Sequence, residues 1–201
     1  MSAVSLFFIG AVLFVNGLTL LGRIEPKGGA PVNALVGAVL VANAARLALP
    51  SEAGEAALAE AAGFLLFGIT YLWVALNAWT GHDPKGLGWY FAWATGVSVF
   101  LGLIALIHSE DWKLAMLWLL WAILFATFFG VIALERTDLV FAAGWLAIME
   151  AFFTASVPGG LELIGKWDDD ITTVVVAIGT LAVVGAFLAL ARRPVPAADG
   201  G

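Results

Sequence analysis

Seven apolar runs, each about 20 residues long and parted by short polar breaks, constrain this chain more than any other feature of it. They are Ser2 to Gly22, Pro31 to Leu49, Leu58 to Trp79, Leu87 to Ile107, Leu114 to Leu134, Leu139 to Leu163 and Ile171 to Ala191. A helix rising about 1.5 Å per residue needs roughly 20 such residues to cross a hydrocarbon core of about 30 Å, so each run predicts one transmembrane helix. The composition agrees. Hydrophobic residues make up 62% of the chain and charged residues 12%, about half the charged share of an ordinary soluble domain. That excludes a soluble enzyme, and no catalytic residue is expected. Nine Lys and Arg against fifteen Asp and Glu leave a net charge of −6, which excludes a nucleic-acid partner and disorder alike. With no cysteine and only His82 and His108, far apart, neither a disulfide framework nor a metal site is expected, and no cofactor is implied.

The first run lacks the basic segment and cleavage site of a signal peptide and reads as a mature helix. Breaks such as Glu25-Pro26-Lys27-Gly28 and Gly81-His82-Asp83-Pro84-Lys85-Gly86 combine proline, glycine and charge, which predicts tight loops at the headgroup level. With the amino terminus outside, the inner loops and tail hold Arg23, Lys27, Lys85, Arg136, Arg192 and Arg193, and the outer side holds Arg46, Lys113 and Lys166. Basic residues flanking a span resist translocation while acids count for little, so this excess predicts an outer amino terminus and a cytoplasmic carboxyl terminus. The outer face then carries Glu52, Glu55, Glu110, Asp111 and Asp168 to Asp170. An internal echo fits the same layout: Glu25-Pro26-Lys27-Gly28 returns as Asp83-Pro84-Lys85-Gly86, and Glu135-Arg136-Thr137-Asp138 stands in the equivalent third place. Spans one to six therefore read as three repeated two-helix hairpins in an all-α membrane protein, with the seventh span outside the repeat.

Charges inside a span are expensive and point to function. Arg46, Glu60 and Glu162 lie near span ends, where a long side chain reaches the headgroups. Glu150 lies near the middle of span six. It is open to three readings: a latch bonded to another helix through Asn16, Asn33, Asn43 or Asn77, a pore-lining acceptor, or a coupled proton carrier. Trp118, Trp121 and Phe125 follow i, i+3, i+7 on span five, Phe67 and Tyr71 an i, i+4 pair on span three, and Leu6, Ile9, Leu13 and Asn16 one stripe of span one, so each set shares a helical face. Such stripes are ordinary packing or a path lining; interfacial anchoring does not explain Trp121 and Phe125, which lie well inside.

Three transport or receptor classes suit this material: a passive pore for a neutral solute, an ion-coupled transporter, and a seven-helix receptor. A retinal receptor needs a lysine in its last helix, and Ile171 to Ala191 has none. A coupled transporter normally carries several intramembrane titratable groups or broken helices. A narrow apolar path with few polar handles matches what is present.

Five blocks resemble the urea channel and amide transporter family (AmiS/UreI) in order and register over roughly residues 1–167: Val15-Asn16-Gly17-Leu18, Ile24-Glu25-Pro26-Lys27, Leu66-Phe67-Gly68-Ile69-Thr70-Tyr71-Leu72, Trp118-Leu119-Leu120-Trp121 and Trp145-Leu146-Ala147-Ile148-Met149-Glu150. The resemblance implies hairpins around a solute path, assembled as a ring hexamer in which each protomer conducts. It implies that Leu6, Ile9, Leu13, Phe67, Tyr71, Trp118, Trp121 and Leu124 line the path, with Glu150 as its buried acid. The family's urea channel has tryptophan where this chain has Phe125, which implies a roomier slot favouring short aliphatic amides. That channel also has six spans with both termini outside, and its acid-gated relatives are rich in external histidine, whereas His108 stands alone on the outer side here.

The expected organisation is a six-helix urea or amide channel domain over 1–167, an additional transmembrane helix over 168–191, and a short disordered cytoplasmic tail over 192–201. The expected function is passive permeation of urea or short aliphatic amides across a bacterial inner membrane, supplying a cytoplasmic amidase or urease. A proton-coupled small-amide transporter is the alternative. Planar neutral amides would slide between aromatic faces while the desolvation cost of bare ions excludes them, with Tyr71 and indole N–H groups as weak polar contacts.

Overall fold

The structure, a computed structural model, describes residues 2–50 and 52–192. Among them, seven helical spans are long and apolar enough to cross a membrane. They are α1 (Ala3–Leu20), α2 (Pro26–Ala48), α3 (Glu55–Thr80), α4 (Lys85–Ile107), α5 (Trp112–Ile132), a composite sixth span over Thr137–Leu163, and α8 (Asp170–Ala191). The sixth span is not one regular helix. It runs from a 3-10 turn (Thr137–Leu139) through α6 (Val140–Glu150) and a π-helical turn (Ala151–Ser156) into α7 (Val157–Leu163). The tail expected over 192–201 lies, beyond Arg192, outside the described residues.

The breaks expected to be tight loops are short non-helical segments over 21–25 and 81–84, and their prolines stand where the next helix begins. Pro26 occupies the first position of α2 behind an extended Glu25, and Pro84 stands directly before α4 while Asp83 Oδ1 accepts the Lys85 N–H at 2.9 Å. A proline at a helix start gives up an N–H that has no intrahelical partner there, and its fixed φ suits the first turn. The repeated acid-Pro-Lys-Gly segment is thus an initiation signal, and Pro31, expected to open the second span, lies inside α2.

The three two-helix units are defined by close packing: α2 runs along α3, α4 along α5, and α1 along the pieces of the sixth span. The repeated breaks connect helices of different pairs, so each close pair other than α1 with the sixth span is joined at the opposite membrane face. Glycines determine the partners. A Cβ on Gly37 would stand 3.0 Å from the Leu72 nitrogen, one on Gly88 2.7 Å from the Ala133 nitrogen, and one on Gly17 2.7 Å from the Gly144 oxygen. Lipid tails are as apolar as leucine, so helices associate through close backbone approach and interhelical hydrogen bonds rather than by exclusion from water. Asn16 and Asn33 exchange amide bonds of 3.0 and 2.7 Å between α1 and α2, and Asn43 donates to Ser5 Oγ at 2.8 Å. Helix α8 lies outermost, touching α5, α6, α7 and the π turn through the stripe Thr172, Val176, Gly179 and Val183.

Candidate solute path

Helix α5 supplies one wall. Its inward face carries Trp118, Trp121 and Phe125, all buried, and Phe67 of α3 sits among them. The Phe67 ring centroid lies 6.0 Å from Trp118, 5.0 Å from Trp121, 5.5 Å from Phe125 and 5.9 Å from Tyr71. Trp118 and Trp121 meet edge to face at 4.9 Å. Such tilted and edge-on pairs set the electron-poor rim of one ring against the electron-rich face of another, so each ring fixes its neighbours. Leu6, Ile9 and Leu13 from α1 and Leu124 from α5 belong to the same buried cluster. The structure therefore buries all nine of the apolar and aromatic residues expected on the path in one core and joins the five rings through Phe67.

A cavity of about 630 Å³, on the side that the sequence reading makes external, reaches this cluster between the start of α3, the end of α4 and the start of α5. Glu55, Glu60 and His108 stand at its rim, and Trp118 belongs both to its lining and to the ring cluster.

Glu150 closes α6 directly before the π turn. It is completely buried, and among the described residues no group hydrogen-bonds either carboxyl oxygen. The latch expectation is therefore not met: Asn16 and Asn33 bond each other, Asn43 bonds Ser5, and the Asn77 amide nitrogen is itself without a partner. The Tyr71 hydroxyl is likewise buried and without a hydrogen-bond partner among the described residues. A buried polar group without a hydrogen bond costs about 1–3 kcal/mol, and more when it is charged, so both groups require an explanation.

Trp121 differs from the expectation in one respect. Its indole N–H donates to Thr154 Oγ1 at 2.9 Å, and that hydroxyl donates to the Glu150 carbonyl at 2.7 Å. The indole N–H is thus engaged and not free to bond a solute, and the ring is held in place. Thr154 and Phe91, which stacks on Phe125 at 5.7 Å, were not among the expected residues. The i, i+4 spacing of Glu150 and Thr154 offered a signal for the first. Nothing marked Phe91 within the aromatic series Trp89, Tyr90, Phe91, Trp93.

Residues 1–166 match the model of the AmiS/UreI family, described as a family of transporters. A Mycolicibacterium smegmatis protein named for transport of amidate substrates is 39% identical, the match covering 93% of this chain and 89% of that protein. The acid-activated urea channel of Helicobacter pylori strain J99 is 29% identical over 81% of this chain and 97% of its own length. Among solved structures, the Helicobacter pylori urea channel in its closed state superposes with a TM-score of 0.73 at 30% identity, covering 83% of this chain and 100% of that one. The Mycolicibacterium match thus runs past residue 166, whereas the solved channel is used up on a share of this chain equal to its first six spans.

Proposed function

The chain belongs to the AmiS/UreI family of transporters, a multi-pass membrane protein and not an enzyme, and on that premise we propose that it is a passive channel for urea or short aliphatic amides. The observation that carries this reading is the pair of unpartnered polar groups, Tyr71 and Glu150, beside a stack of rings. A primary amide offers N–H donors and one carbonyl acceptor. The Glu150 carboxyl can accept from the first and the Tyr71 hydroxyl can donate to the second, so a passing amide satisfies both groups in place of its hydration shell. Planar solutes slip between ring faces, whereas an ion finds no charge-matched set of ligands and keeps its desolvation cost. Passage requires the touching rings to part, and because the polar contacts are few, binding stays weak enough for release.

Phe125 in place of a tryptophan favours amides slightly bulkier than urea. The basic excess supports an outer amino terminus and a cytoplasmic carboxyl terminus in a bacterial inner membrane, and the channel would feed a cytoplasmic amidase or urease. A homo-hexamer of independently conducting protomers follows from the family resemblance. The buried Glu150 also favours a second reading, proton-coupled amide uptake, since intramembrane acids are the usual proton relays. Stopped-flow uptake of urea and acetamide into proteoliposomes, with and without a proton gradient, tests both: equal downhill rates support the channel, and accumulation against a solute gradient overturns it.

A further inference from the structure

Helix α8 contributes no residue to the ring cluster, yet it bears on the turn that positions that cluster. A Cβ on Gly179 would stand 2.9 Å from Cβ of Phe153, so α8 and the π turn are in contact at the closest approach that glycine permits. Phe153 lies beside Thr154, whose hydroxyl holds the Trp121 indole, and the turn begins immediately after Glu150. The start of α8 is tied separately to the start of α5, the ring-bearing helix. Lys113 Nζ donates to the Trp167 carbonyl at 2.7 Å, lies 5.6 Å from the Trp167 ring centre and 3.6 Å from the Asp168 carboxylate. Trp167 Nε1 donates to Asp111 Oδ2 at 2.9 Å, while Asp111 Oδ1 caps α5 by accepting the Leu114 N–H at 2.9 Å. Thr172 Oγ1 then donates to the Lys166 carbonyl at 2.6 Å. Lys113 is only 8% exposed, and a buried ammonium is tolerated because these partners replace its water.

We propose that α8 is a positioning strut for the selectivity region: pinned to α5 at Trp167 and pressed on the π turn at Gly179, it sets the turn from which Thr154 orients Trp121 and Glu150 meets the path. Gly179, Phe153 and Trp167 are its positioning residues. The proposal rests on reading the ring cluster as the solute path. The family match ends at residue 166, ahead of the strut, so its role is to tune which amides pass, not to create the path.

The test is the propionamide-to-urea permeability ratio of full-length protein in proteoliposomes, a quantity independent of how much protein is folded. Gly179→Leu drives a side chain against Phe153 and pushes the turn inward. The ratio is expected to fall about tenfold or more, in line with the discrimination one methylene commands in an apolar slot. Phe153→Gly in the same protein removes the Cβ and the ring that a residue 179 side chain would meet, and is expected to restore the ratio to within about twofold, as a coupled pair requires. Leu181→Ala, on the outward face of α8 and 76% exposed, is expected to leave it unchanged. Should Gly179→Leu not insert, Gly179→Ala carries the same test with a smaller shift. An unchanged ratio in a conducting Gly179 variant overturns the strut. Wild-type vesicles no more permeable than protein-free ones overturn the channel reading itself.

Discussion

The hydroxyl of Thr154 accepts the Trp121 indole N–H while donating to the Glu150 carbonyl, so that indole N–H is engaged, whereas the Tyr71 hydroxyl and the Glu150 carboxyl are among the buried polar groups without a hydrogen-bond partner among the described residues. Two predictions belong to this scale. Phe125→Trp enlarges a ring already held between Phe67 and Phe91. Overpacking of this kind typically costs about 1–3 kcal/mol, and the narrower slot should lower acetamide flux relative to urea by several-fold in proteoliposome uptake. Unchanged relative rates in folded protein would count against the slot. Glu150→Gln keeps size and hydrogen bonding but removes titration, so downhill urea flux is expected to stay within about twofold of wild type. Survival of downhill flux together with loss of gradient-driven accumulation would instead identify a proton-coupled carrier.

Among the helices, α5 carries three rings of the proposed path and also anchors α8, and Asp111 caps α5 with one oxygen and holds Trp167 with the other. Replacing it by alanine removes an N-cap, which typically contributes about 1 kcal/mol, and strands the Trp167 N–H. Asp111→Ala should therefore lower the melting temperature of detergent-solubilised protein more than Asp111→Asn, which retains an acceptor oxygen. Equal melting temperatures for the two would show that the side-chain oxygens do not tie α8 to α5. Helix pairing depends on a different device, the glycine crossings at Gly37, Gly88 and Gly17, where any side chain would push two backbones apart.

At the scale of the whole molecule, seven crossings among the described residues would put the two termini on opposite sides, and Arg192 with Arg193 follows the last span. A carboxy-terminal alkaline phosphatase fusion is expected to be inactive; periplasmic activity would mean that α8 does not cross. Permeability is also expected to change less than about twofold between pH 7.5 and 5, the range in which imidazoles change charge. His108 is the one histidine at the outer cavity, and reversing a two-state gate from a hundred-to-one takes about 5.5 kcal/mol, well beyond a single exposed charge. The outer pair Lys166 and Asp169 does not respond in this window either. Its 2.6 Å hydrogen bond holds the Asp169 carboxyl below the usual carboxylate range. A carboxyl lowered in the folded state stabilises above its unfolded pKa of about 3.9, and that contribution is lost only as pH falls through the lower folded value. A steep rise in urea flux near pH 6, abolished by His108→Ala, would make this an acid-activated channel.

Hydropathy alone determined the seven spans and their order, because the bilayer requires about 20 apolar residues per crossing whatever the neighbours are. The i, i+3, i+7 spacing of Trp118, Trp121 and Phe125 likewise placed three rings on one face before any contact was known. Tertiary structure alone decided which face of α4 turns inward. Phe91 is 1% exposed while Trp89 and Trp93 are each 61% exposed, although all three are aromatic and nearly adjacent. It also decided that Glu150 stands without a protein partner, that the sixth span contains a π turn, and that Lys113, counted from sequence as a flanking charge, is buried under Trp167. The reason is common to all of these. In water the polar face of a helix marks its outside, but in lipid the outside is as apolar as the core, so the pattern that reveals a span does not reveal which side of it meets another helix.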